Sequence, residues 1–186
     1  MPLQAAYCAA KCAVKGFTES LRLELEHEKS GVAVTLILPS STNTPLFTHA
    51  RSKLGVKPRP IPPIYEPRVV AEAILFAAEH PRREIVVGGA GKLLTVLERI
   101  SPSLLDRYML LRGQMVKLQK TDRPDDGQDN LYEPRGGTGS TTGDFGWRSR
   151  STSLYTRHLA QYPNRERALL GAAALGAVAL VRRAGR

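Results

Sequence analysis

The run Val32-Ala33-Val34-Thr35-Leu36-Ile37-Leu38, stopped by Pro39, constrains this chain more than any other feature. It is continuously apolar rather than alternating. A strand with that pattern is covered on both faces, as in the parallel sheet of an α/β protein. A long helical pattern precedes it: Ala5, Ala9, Ala13, Phe17, Leu21 and Leu25 recur at helical spacing within residues 4–29, and Ser30-Gly31 ends the repeat. Helix followed by buried strand is half of a βαβ unit. In such sheets ligands bind beyond the carboxyl ends of the strands. The segment after Leu38, PSSTNTPLF, is therefore the first place to look for a site.

The rest of the chain supports an α/β reading as far as about residue 118. Residues 48–67 are proline-rich and predict an extended loop. Pro67 opens a helix over 68–80 whose apolar face is Val69, Val70, Ala73, Ile74 and Ala77. Glu84-Ile85-Val86-Val87 reads as a second short strand, followed by Gly88-Gly89-Ala90-Gly91 and by helical sequence over 92–118, interrupted near Ser101-Pro102. From Thr121 the composition turns to Gly, Asp and Thr, which predicts a disordered extension over 119–163. A basic, Ala- and Gly-rich tail helix is expected over 164–186. Its apolar run, 168–181, falls short of the about 20 residues that span a bilayer.

Composition narrows the classes further. The chain has 186 residues and a net charge of +10, with many arginines near the C-terminus. Basic residues without interleaved aromatics or a binding motif describe a solvated tail, so no nucleic-acid partner is expected. Cys8 and Cys12 share a helix face, with no second Cys or His pair at metal spacing, so neither a metal site nor a disulfide framework is expected. A cytoplasmic setting follows, with peripheral membrane contact through 168–181 as the less favoured reading. His27 and His49 are lone histidines of a helix end and a loop, expected to face solvent.

Tyr7 and Lys11 stand four apart near the start of the first helix, so their side chains share a face. A tyrosine hydroxyl, with an ordinary pKa of about 10, is a reluctant acid–base group at neutral pH. A nearby ammonium favours the phenolate. Such a pair can pass a proton to or from a neighbouring oxygen.

Taken together, Tyr7-x-x-x-Lys11 on an Ala-rich helix, a buried strand ending in Pro39, then Thr44-Pro45-Leu46-Phe47, a loop, a helix and the strand EIVVGG resemble the C-terminal half of a short-chain dehydrogenase/reductase. The likeness covers about residues 1–115. It implies a partial Rossmann-like, doubly wound parallel sheet, an NAD or NADP cofactor and a small carbonyl or alcohol substrate. By the same resemblance Tyr7 is the general acid/base, Lys11 also bonds the nicotinamide ribose, and Pro39, Thr42 and Thr44 line the cofactor. Ser40 stands where the family has Gly, and Thr42 where it has an apolar residue. A turn is the competing reading of Thr44-Pro45.

The family's catalytic serine and its glycine-rich phosphate turn have no counterpart ahead of Tyr7. Gly88–Gly91 follows the last strand and is given no phosphate role. The chain is accordingly expected to be N-terminally truncated relative to the family, to fold poorly and to be inactive alone. The alternative is a non-catalytic remnant with a weakly membrane-associated tail. The family also implies a homodimer or tetramer for the complete enzyme.

Overall fold

The computed structural model describes residues 1–134, 136 and 139–162, together with 164, 168, 172 and 175. The expected tail helix and its apolar run at 168–181 lie mostly outside the described residues. Helix α1 spans Ala5–His27. Its end is a Schellman arrangement: Lys29 adopts φ 52°, the Ser30 N–H donates to the Leu25 carbonyl at 3.1 Å, and the Lys29 N–H donates to that of Glu26 at 3.2 Å. The helix therefore stops one turn before the apolar run.

That run forms strand β1 only over Leu36–Pro39. It pairs in parallel with β4, Glu84–Val87, in the register Leu36 with Glu84 through Pro39 with Val87. Between them come α2 (Leu46–His49), β2 (Val56–Pro58), β3 (Ile64–Tyr65) and α3 (Pro67–Glu79). The crossover through α3 is what permits parallel pairing. Ile85, Val86 and Val87 of β4 are all buried, as the unbroken apolar pattern requires. Helix α3 packs Val69, Ala73 and Ala77 against Tyr65, Ile85 and Val87, a stripe at four-residue spacing. Ile74 of the same predicted face is half-exposed instead.

Helix α1 is tied to the segments just ahead of both parallel strands by Arg22, with a Glu19–Arg83 ion pair at 3.8 Å beside it. Arg22, its only buried side chain, donates from Nη2 to the Arg83 carbonyl at 2.9 Å and from Nε to the Val34 carbonyl at 3.3 Å. Val14, Phe17 and Leu23 of this helix are exposed. At its other end the Gln4 amide donates to Gln119 Oε1 at 2.8 Å, and Gln119 donates in turn to the Pro2 carbonyl. Among the described residues no helix is long and apolar enough to cross a membrane.

The segment after residue 118 departs from the disorder its composition suggests. After α4 (Gly89–Ile100), α5 (Pro102–Leu110) and α6 (Gln114–Leu118), strand β5 (Lys120–Pro124) pairs antiparallel with β2. Ser149–Arg150 forms β6, parallel to β3. Thr156–Ala160 then closes a wide helical turn whose Ala160 rests on the core. Composition misses this because the segment buries few side chains of its own. It is held by backbone and hydroxyl hydrogen bonds to strand ends made elsewhere.

Candidate functional site

The site is built at the carboxyl ends of β1 and β4. Leaving β1, the Ser40 N–H donates to the Val87 carbonyl at 2.8 Å, and its hydroxyl donates to the Gly88 carbonyl at 3.3 Å and accepts from the Gly91 N–H at 3.2 Å. Cβ atoms placed on Gly88 or Gly91 would lie 2.5 and 2.4 Å from Ser40 Oγ. Gly88 also holds φ at 100°, so the glycine at that position is demanded twice. The Gly88 N–H donates to the buried Thr156 hydroxyl at 2.9 Å. Two N–H groups of the Gly88–Gly91 turn are thus taken by protein oxygens, in keeping with a structural role for it.

Asn43 is the residue the sequence reading passed over. It is 1% exposed. Its N–H donates to the Tyr65 carbonyl at 2.9 Å, its Oδ1 accepts from the Phe145 N–H at 3.0 Å, and its carbonyl accepts from the Gly143 N–H at 3.2 Å. Residues 143–156 are thereby strapped across the strand ends. Gly143 passes so close that a Cβ there would lie 2.4 Å from the Thr44 carbonyl oxygen. Phe145 buries itself edge-on to Phe47, with ring centroids 6.2 Å apart. The signal was present in the sequence as an Asn in a strand-end loop and a Gly-Asp-Phe-Gly in a polar stretch. Nothing local says that the two meet across 100 residues.

Beneath the strap, Tyr65, Gly89, Ser149, Arg150, Ser153 and Tyr155 help to line an open cavity of about 530 Å³. Arg150 makes no side-chain hydrogen bond or ion pair among the described residues. Of the predicted loop residues, Pro39 ends β1 opposite Val87. Thr42 turns its hydroxyl onto the Ser40 carbonyl at 2.9 Å and bridges Tyr65. Thr44 is half-buried, and its hydroxyl has no partner among the described residues. It is therefore a loop hydroxyl free to meet a ligand, whereas that of Thr42 is already engaged.

Tyr7 and Lys11 lie on the first turns of α1, beside the segment around Gln119 rather than in the cavity lining. The Lys11 ammonium stands 5.4 Å from the centroid of the Tyr7 ring, within cation–π range. Tyr7 is 48% exposed, and its hydroxyl makes no hydrogen bond to any described residue. The pair is thus assembled as a pair, with both functional ends open. The structure does not join it by hydrogen bonds to the 40–44 loop. No group of three or more His, Cys, Asp or Glu residues able to hold a metal occurs among the described residues.

Comparison with known proteins decides the family. The family model for short chain dehydrogenases matches residues 1–55, which contain Tyr7, Lys11, β1 and the whole 40–44 loop. An uncharacterized oxidoreductase of Bacillus subtilis, YxnA, is 41% identical over 83% of this chain. The chain belongs to the short-chain dehydrogenase/reductase family. A putative oxidoreductase of Mycobacterium tuberculosis, SadH, is 32% identical over 59% of the chain, and mouse estradiol 17-beta-dehydrogenase 11 is 33% identical over 55%. The chain spans 44%, 42% and 32% of the lengths of these three relatives. No solved structure matches it significantly. The mixed α/β architecture with parallel strands is compatible with part of a Rossmann-like fold.

Proposed function

We propose that this chain carries the proton-transfer end of an NAD(P)-dependent dehydrogenase/reductase that interconverts a small carbonyl and its alcohol. One observation carries the reading: a Tyr–Lys pair one helical turn apart, ammonium against ring, with the phenolic hydroxyl free. Tyr7 passes the proton to or from the substrate oxygen, and Lys11 places its positive charge beside the Tyr7 ring. A bound nicotinamide dinucleotide would supply the hydride. The free donors and acceptors at Tyr7, Lys11 and Thr44 suit its ribose and carboxamide end, with Pro39 and Thr42 shaping the loop backbone beside it.

The phosphate-binding turn and catalytic serine of the family have no match at their expected places in these 186 residues. We therefore propose that the chain alone neither binds the dinucleotide nor turns over, and that activity needs a segment supplying those groups. A homodimeric or tetrameric complete enzyme in a reducing cytoplasm accompanies this reading, in line with two free thiols at Cys8 and Cys12.

The test joins the portion of the YxnA relative that this chain does not match ahead of Met1. Titration with NADH and NADPH and turnover of a panel of aldehydes and ketones are then measured for the fusion and for residues 1–186. Dinucleotide binding and Tyr7-dependent turnover in the fusion alone are expected. A folded fusion that binds dinucleotide yet turns over equally well with Tyr7→Phe would overturn the assignment. A folded fusion inert toward every substrate would instead favour a non-catalytic remnant.

A further inference from the structure

Helices α4 and α5 bury no side chain fully, unlike α3, although their sequence is as apolar on one side. Leu93 and Ile100 of α4 and Leu104 and Tyr108 of α5 are all more than half exposed, and Leu110 and Leu111 at the following turn are 69% and 57% exposed. Leu104 and Tyr108 stand at i and i+4 of α5, so they share one face of that helix, and Leu111 follows at its C-cap. Six large apolar groups on two packed, consecutive helices exceed the scattered exposure of an ordinary surface.

The charge around them indicates what covers them. Residues 92–123 hold seven Lys or Arg against three Asp or Glu. Arg107, Lys117 and Lys120 have no ion-pair partner among the described residues. A second copy docked by the same face would set like charge against like charge. A layer of anionic headgroups over an apolar interior meets both properties, because leucines enter the acyl boundary while cations stay among the phosphates. Tyr108 suits that boundary, with an apolar ring and a polar tip.

We propose that the α4–α5 face is a docking surface for an anionic lipid bilayer, on which the protein lies without spanning it. The face belongs to residues 89–111. The experiment is co-sedimentation of the full chain with vesicles of phosphatidylcholine alone and with about 30% phosphatidylglycerol added, an anionic fraction high enough to draw juxtaposed cations. Binding to the anionic vesicles is expected, at least about tenfold tighter than to neutral ones and weakened by added salt. The double variant Leu104→Glu/Leu111→Glu, with an unchanged circular dichroism spectrum, should lose it. Should that variant misfold, Arg107→Glu/Lys117→Glu should abolish the preference for anionic vesicles. Absence of binding, equal binding to both vesicles, unchanged binding by the folded variants, or concentration-dependent self-association abolished by Leu104→Glu would each overturn the proposal.

Discussion

Replacing Asn43 by Ala removes a single acceptor whose loss the structure lets one quantify. Its Oδ1 takes the Phe145 N–H at 3.0 Å in a buried contact. The Ala methyl accepts nothing, and Asn43 itself is 1% exposed, so water does not reach the N–H without opening the strap. A buried donor left unpaired costs about 1–3 kcal/mol. The strap is otherwise attached near this point through the Gly143 N–H to the Asn43 carbonyl, which the substitution preserves. The penalty therefore falls on local opening of 143–150 rather than on global unfolding. In amide hydrogen exchange with fast reclosing, the Phe145 amide should exchange about 5- to 150-fold faster, since 1.36 kcal/mol is a factor of ten. Amides of Ile85 and Val87 in β4 should change far less. Unchanged protection at Phe145, or an equal loss in β4 and the strap, would refute the claim that Asn43 is the strap's anchor.

Gly143→Ala should open the same strap by a steric route, because its Cβ meets the Thr44 carbonyl oxygen at 2.4 Å; faster proteolysis within 140–156 checks it. Thr156→Val keeps the shape but strands the Gly88 N–H, lowering the urea-derived unfolding free energy by about 1–3 kcal/mol. Arg22→Met leaves the Val34 carbonyl without its donor and removes one of the two donors of the Arg83 carbonyl, which keeps the Leu36 N–H; a loss of about 1–3 kcal/mol with earlier exchange of α1 amides is expected. At the surface, the hydrogen bond from Arg51 holds the Asp129 carboxyl below its usual pKa. The Arg51–Asp129 link is thus complete above the ordinary carboxylate pKa and is lost as pH falls through the lowered one, which the Asp129 side-chain NMR titration reads directly. Loss of the link on raising the pH through that range would contradict the assignment.

The parts of this structure that were legible in the sequence are those set by local periodicity. The α1 repeat, the unbroken apolar strand, Pro67 at the head of α3, and EIVV as β4 all carry their own signal. The Tyr7–Lys11 pair is legible for the same reason, since helical geometry alone places it. What stayed hidden depends on contacts between distant segments. Ser40 looks like a departure at a glycine position, yet its hydroxyl ties the end of β1 to the Gly88–Gly91 turn. Asn43 and Phe145 meet across 102 residues, and β6 joins β3 through a two-residue match. A polar, Gly-rich stretch that folds by donating backbone N–H groups to an existing sheet end has no periodic pattern to betray it. The apolar run at 32–38 yields only three strand residues, Leu36, Ile37 and Leu38, before Pro39 closes β1. Phe17 and the alanines Ala5, Ala9 and Ala13 of the α1 repeat are exposed.

The most direct test of the central claim is the turnover of the fusion carrying Tyr7→Phe. Removing one hydroxyl leaves the ring, the Lys11 contact and the helix in place. If Tyr7 is the proton-transfer group, kcat for carbonyl reduction falls by about 10²–10⁴-fold while dinucleotide affinity stays within about twofold. A kcat within a few fold of the unsubstituted fusion, at unchanged dinucleotide affinity, would contradict the account.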